Sequence, residues 1–97
     1  MKNAIIYVRG HKQETQEIFC RLYAKEKGYK VKFVTTDINA VADCEVLLVA
    51  NPSRISRNRI EYQIIINKLK KLGIVVESAI EHENADELLS FTMDILR

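Results

Sequence analysis

Val46-Leu47-Leu48-Val49-Ala50-Asn51-Pro52-Ser53-Arg54-Ile55-Ser56-Arg57-Asn58 is the stretch of this 97-residue chain that decides its fold. An apolar run stops at Asn51-Pro52, and a long helical pattern begins a few residues later. Between them stand Arg54 and Arg57, with serines at 53 and 56. The pattern reads as a buried strand that ends in a turn and presents two guanidiniums at a helix start. Forked guanidinium donors match phosphate oxygens, and the free N–H groups and dipole of a helix N-terminus also favour an anion. The chain's beginning has the same layout. Ala4-Ile5-Ile6-Tyr7-Val8 reads as a strand, with Arg9-Gly10-His11 at its end. Arginines therefore gather at the C-terminal ends of two strands, where open α/β sheets place their ligands.

Working outward, the coarse order is β-α-β-β-α-β-α. Residues 3–8 are nearly all apolar, as in a strand buried on both faces. A helix follows over about 13–27, with Ile18, Phe19, Leu22 and Tyr23 as its buried stripe and Gly28 as its stop. Cys20, on its apolar side, reads as a buried free thiol. Val31, Phe33 and Thr35 alternate in a second strand. Residues 37–44 form a short connector with one helical turn, and 45–50 the third strand. A second helix spans about 57–72 up to Gly73, and Ile74-Val75-Val76 is a short fourth strand. A last helix starts between Glu83 and Asp86, with Leu88, Leu89, Thr92, Ile95 and Leu96 among its apolar positions. This alternation predicts one α/β domain over 1–97: three layers, a mostly parallel four-stranded sheet and helices on both faces.

Composition fits a globular domain, 47% hydrophobic and 29% charged. A net charge of +2 does not by itself indicate nucleic acid. No apolar run approaches the roughly 20 residues of a membrane span, and the start does not resemble a signal peptide, so a cytoplasmic location is expected. Cys20 and Cys44 lie far apart, without a C-x-x-C pair, and the two histidines lack ligand spacing. Neither a metal nor a cofactor is expected.

An ordered set of motifs then carries a resemblance. Tyr7-Val8-Arg9, Gln16 four residues before Cys20, Tyr23-Ala24 and Gly28-Tyr29-Lys30-Val31 resemble the opening of the serine site-specific recombinases, the resolvases and invertases. Glu45-Val46-Leu47-Leu48-Val49, then Ser53-Arg54-Ile55-Ser56-Arg57-Asn58, then Leu69 to Gly73, resemble that family's D-V-L-L-V…D-R-L-S-R-N strand-turn-helix. The resemblance covers nearly the whole chain and implies a resolvase-catalytic-domain-like fold. In that family a serine cuts DNA and forms a phosphoserine link, with arginines around the scissile phosphate. A long helix mediates dimerisation, and a separate DNA-binding domain follows.

Carried over residue by residue, the resemblance makes Arg9, Gln16, Asp37, Arg54 and Arg57 the phosphate-binding or DNA-binding set. It also exposes departures. His11 stands where the nucleophilic serine belongs, and Ser53 where the motif's aspartate belongs. The 37–44 connector is too short for the family's mobile loop. A strand-cleaving site needs an in-line nucleophile as well as charge neutralisation, and the arginines supply only the second. His11 could attack phosphorus or be a loop histidine. Ser53 and Ser56 lie near the reacting position or cap the following helix. Arg54 and Arg57 otherwise read as a solvated helix start, and Arg9 as a salt-bridge partner of Asp37.

The expectation is therefore a recombinase-like pseudoenzyme that keeps an arginine-lined phosphate pocket and binds the DNA backbone weakly. It would have no separate DNA-binding domain, and a homodimer would form through the 85–97 helix. The alternative is a non-enzymatic module that pairs with itself or with an intact recombinase. Ile64-Ile65-Ile66 span more than one helix face, so one of them should emerge from the core. Lys68, Lys70 and Lys71 read as a solvated helix end, where the dipole favours cations, in preference to a DNA patch.

Overall fold

The two apolar runs, 4–8 and 46–50, lie side by side at the centre of a parallel sheet. The computed structural model describes residues 1–80. Its elements are β1 (Asn3–Tyr7), α1 (Gln13–Lys27), β2 (Lys30–Thr35), a 3-10 turn (Ile38–Ala40), β3 (Val46–Val49), a second 3-10 turn (Pro52–Arg54), α2 (Arg59–Lys71) and β4 (Val75–Ser78). The helix expected over 83–97 lies outside the described residues, as does the dimer surface assigned to it. The strand order is β2-β1-β3-β4, and every neighbouring pair is parallel.

Because side chains alternate across a strand, the sheet separates two cores. Ile5, Tyr7, Leu47 and Val49 face α2 and pack with Ile55, Leu69 and Ile74. Ala4, Ile6, Val8, Val46 and Leu48 face the opposite way and pack with Cys20 and Ala24 of α1. The helices lie on opposite faces because β1→β2 and β3→β4 step in opposite directions along the sheet, and right-handed crossovers then fall on opposite sides. The β2→β3 crossover steps the same way as β3→β4, and its Ile38 and Val41 join the α2 layer. The three-layer α/β architecture read from the sequence is the one observed.

Three local readings change. The face of α1 that meets the sheet is Gln16, Cys20 and Ala24, all buried, while Ile18, Phe19 and Leu22 are 57%, 44% and 60% exposed. Of the expected stripe only Tyr23 is half-buried. Small residues at 20 and 24 let the helix approach the sheet closely, and the amide of Gln16 is anchored below it. In β2, Ala4 pairs with Val31 but Ile5 pairs with Phe33, so Lys32 is an extra residue in the ladder. A one-residue slip changes the face of everything after it. Val31 and Val34 therefore reach the α1 layer, and Phe33 is left exposed on the edge strand. Finally, α2 starts at Arg59 because Asn58 caps it, and β4 begins at Val75, one residue later than expected.

Both helices stop as their glycines suggested. In α1, Tyr29 N–H donates to Ala24 O and Gly28 N–H to Lys25 O; in α2, Ile74 N–H donates to Leu69 O and Gly73 N–H to Lys70 O. Each glycine holds the left-handed conformation this ending requires. Of the three isoleucines, Ile64 emerges at 62% exposure, whereas Ile65 and Ile66 pack on the core.

Candidate functional site

The chain leaves β1 toward one edge of the sheet and β3 toward the other. The two loops diverge and open a crevice at the C-terminal ends of these adjacent strands, the usual ligand position in open parallel sheets. The crevice is a cleft of about 430 Å³. From the first loop it is lined by Arg9, Gly10 and His11, and from the second by Ser53, Arg54, Ser56, Arg57 and Asn58. Glu61, in the first turn of α2, completes the lining.

Gln16 builds the first loop. This residue is only 3% exposed. Its side-chain amide donates to Arg9 O at 2.8 Å and to His11 O at 2.7 Å, and its oxygen accepts from Arg9 N–H at 3.1 Å. Gln16 thus holds the backbone of the loop and is absent from the cleft lining. Left-handed backbone at Gly10 and Lys12 completes the bend into α1.

Two guanidinium–carbonyl bonds tie the loops together. Arg9 Nη1 donates to Ile55 O at 3.1 Å, and Arg54 Nη1 donates to Arg9 O at 3.1 Å. Gly10 makes the crossing possible. Its φ is +79°, and a Cβ there would stand 3.2 Å from Arg54 Nη1. Arg54 Nε is buried without a hydrogen-bond partner among the described residues. Arg57 is exposed at the cleft wall. Arg9, Arg54 and Arg57 therefore converge on one side of the sheet's C-terminal edge.

Asp37 does not join them. Its carboxylate accepts from Asn39 N–H at 2.9 Å and caps the first 3-10 turn. The Arg9–Asp37 salt bridge considered from the sequence is not formed; Arg9 reaches the other way, across to the β3 loop. Among the described residues the one ion pair is Arg21–Glu17, on the exposed side of α1. Arg9 and Arg54 are thus positioned by backbone carbonyls and not by carboxylates.

The serines are occupied by local structure. Ser53 Oγ donates to Asn51 Oδ1. Ser56 is buried, and its Oγ accepts from Asn58 N–H at 3.0 Å and donates to Asn58 O at 3.3 Å. Neither serine caps α2. That task falls to Asn58, whose Oδ1 accepts from Ile60 N–H and Glu61 N–H at 2.9 and 3.1 Å. His11 is exposed at the cleft. Sequence reasoning missed Asn58 and Glu61, although Asn58-x-x-Glu61 is a capping-type signature and Glu61 follows Arg57 by four residues.

Chemically, guanidinium N–H groups are charge-assisted donors whose forked geometry matches oxyanions. Among the described residues no group of three metal-ligating side chains comes together. No described helix is long and apolar enough to cross a membrane. Burial, with a smaller contribution from the nearby Glu17 carboxylate, pushes the Cys20 thiol up to about 12, away from any reactive role.

No protein-family model matches the sequence, and no curated protein sequence matches it. Solved structures do match. The N-terminal catalytic domain of TP901-1 integrase is similar at a TM-score of 0.69 and 20% identity, over 95% of this chain and 90% of that one. The C-terminal catalytic domain of ISC1926 TnpA, an IS607-like serine recombinase, is similar at a TM-score of 0.65 and 21% identity, over 96% of this chain and 80% of that one. The four-stranded parallel sheet with a helix on each face is thus the fold of serine recombinase catalytic domains.

Proposed function

We propose that this chain binds the phosphodiester backbone of DNA in the β1–β3 cleft and does not cut it. It is a serine-recombinase-like domain that keeps the arginines and has lost the nucleophile. The observation that carries this reading is the convergence of Arg9, Arg54 and Arg57 at the sheet's switch point, in a fold shared with recombinase catalytic domains. The position two residues after Arg9, which the resemblance gives to the serine, holds His11. The neighbouring hydroxyls of Ser53 and Ser56 are engaged in loop hydrogen bonds. Charge neutralisation without an in-line nucleophile supports binding and not phosphoryl transfer.

Two measurements test this. Incubation with supercoiled DNA followed by a denaturing gel should show neither cleavage nor a covalent adduct. An adduct that disappears in His11→Ala would mean that the nucleophile was replaced and not lost. In binding assays with duplex DNA, about three phosphate contacts give a slope of log K against log salt of about −2.7. Arg57→Gln should weaken binding and make that slope shallower. Tight, sequence-specific binding at physiological salt would contradict the proposal.

The second reading, a non-enzymatic interaction module, is favoured by the apolar side chains that α1 leaves exposed, Ile18, Phe19 and Leu22. It predicts association with a second copy or with an intact recombinase in the absence of DNA. The homodimer expected through the 85–97 segment, which lies outside the described residues, belongs with it.

A further inference from the structure

Glu61 occupies the third helical position of α2, after the cap Asn58. In an Asn-x-x-Glu start the carboxylate ordinarily folds back onto the cap's own N–H. Here that donor is taken, because Asn58 N–H donates to Ser56 Oγ at 3.0 Å. The Glu61 carboxylate is left without an ion pair or hydrogen bond among the described residues. It lines the cleft together with Arg9, Arg54 and Arg57. A cleft lined by three arginines therefore also carries one carboxylate, which the cap's N–H, held by Ser56, does not bind.

We propose that Glu61 is a specificity-determining charge: it disfavours terminal, dianionic phosphomonoesters relative to the monoanionic phosphodiesters of an intact strand. This rests on the phosphate reading of the cleft. A fixed carboxylate repels a dianion twice as strongly as a monoanion at the same distance. At neutral pH a terminal phosphate carries about −1.5 to −2, whereas an internal phosphodiester carries a single charge. Glu61 thereby biases the cleft toward continuous backbone and away from strand ends. A purely structural role, in which Glu61 complements the α2 dipole, would change stability without changing this discrimination.

The test uses a fluorescein-labelled oligodeoxynucleotide at low salt and pH 7.5, read by anisotropy. Unlabelled trithymidylate, with and without a 5′-phosphate, serves as the competitor. Glu61→Gln should bind the labelled strand about twofold to fivefold more tightly, the range of one surface charge interaction. Its gain for the 5′-phosphorylated competitor should exceed its gain for the unphosphorylated one, even as its thermal stability falls slightly. Equal gains, or no gain, while Arg57→Gln still weakens binding, would overturn the role of Glu61 and leave the phosphate reading standing. If Arg54→Gln and Arg57→Gln both leave affinity unchanged, the phosphate reading fails and the role of Glu61 falls with it.

Discussion

Replacing Gln16 by Leu separates the loop scaffold from the cleft it supports. Gln16 makes three hydrogen bonds to the backbone of Arg9 and His11 from a buried position on α1. Leucine keeps most of the volume and removes all three. Arg9 O retains a donor in Arg54 Nη1, but Arg9 N–H and His11 O lose their side-chain partner. At about 1 kcal/mol net per bond, with more where a buried group is left unpaired, the loss is about 2–3 kcal/mol. For a domain of this size that corresponds to a fall in Tm of roughly 8–24 °C. Urea unfolding followed by circular dichroism should show a lower midpoint with an unchanged m-value. Oligonucleotide binding should weaken as well, because Arg9 and the Arg54 tie depend on the loop. A loss below about 0.5 kcal/mol would show that the loop holds its shape without Gln16, which would refute the argument that this amide sets the rotation of α1 on the sheet.

Gly10→Ala forces a side chain into left-handed backbone and against Arg54 Nη1. It should cost about 1–2 kcal/mol and weaken oligonucleotide binding more than Gly28→Ala, where a Cβ meets nothing. The Cys20 thiol is raised in the folded state from an ordinary 9.0 to about 12. The unfolded chain therefore releases this proton first, and stability is full below pH 9 and declines as pH rises from there toward 12, a trend that Cys20→Ala should flatten. In native protein a thiol reagent should modify half-buried Cys44 before buried Cys20, with both reacting in denaturant. If the 85–97 segment self-associates, sedimentation should show a concentration-dependent dimer that Met93→Glu abolishes. A strictly monomeric wild type at high concentration would remove that interface.

By itself the sequence determined the layers. Uninterrupted apolar runs at 4–8 and 46–50 suit strands buried on both faces, and the glycines at 28 and 73 end the helices that cover those faces. It also placed Arg9, Arg54 and Arg57 at strand ends, because the end of an apolar run is visible in one dimension. What it did not contain was the direction of side chains whose choice depends on a distant partner. Ile18, Phe19 and Leu22 make a plausible buried stripe until Gln16 is seen anchored to Arg9 and His11, which turns Cys20 and Ala24 inward. Arg9 and Asp37 look complementary until Asp37 is seen capping its own turn and Arg9 bonded to Ile55 O, 46 residues away in sequence. Glu61 lines the cleft while Ser56 holds the Asn58 N–H that an Asn-x-x-Glu start would offer it. Hydrophobic periodicity is a local property and fixes which elements form. Hydrogen-bond partners are chosen by competition among groups that folding brings together, so only the tertiary structure decided which arginines, and which carboxylate, face the same cleft.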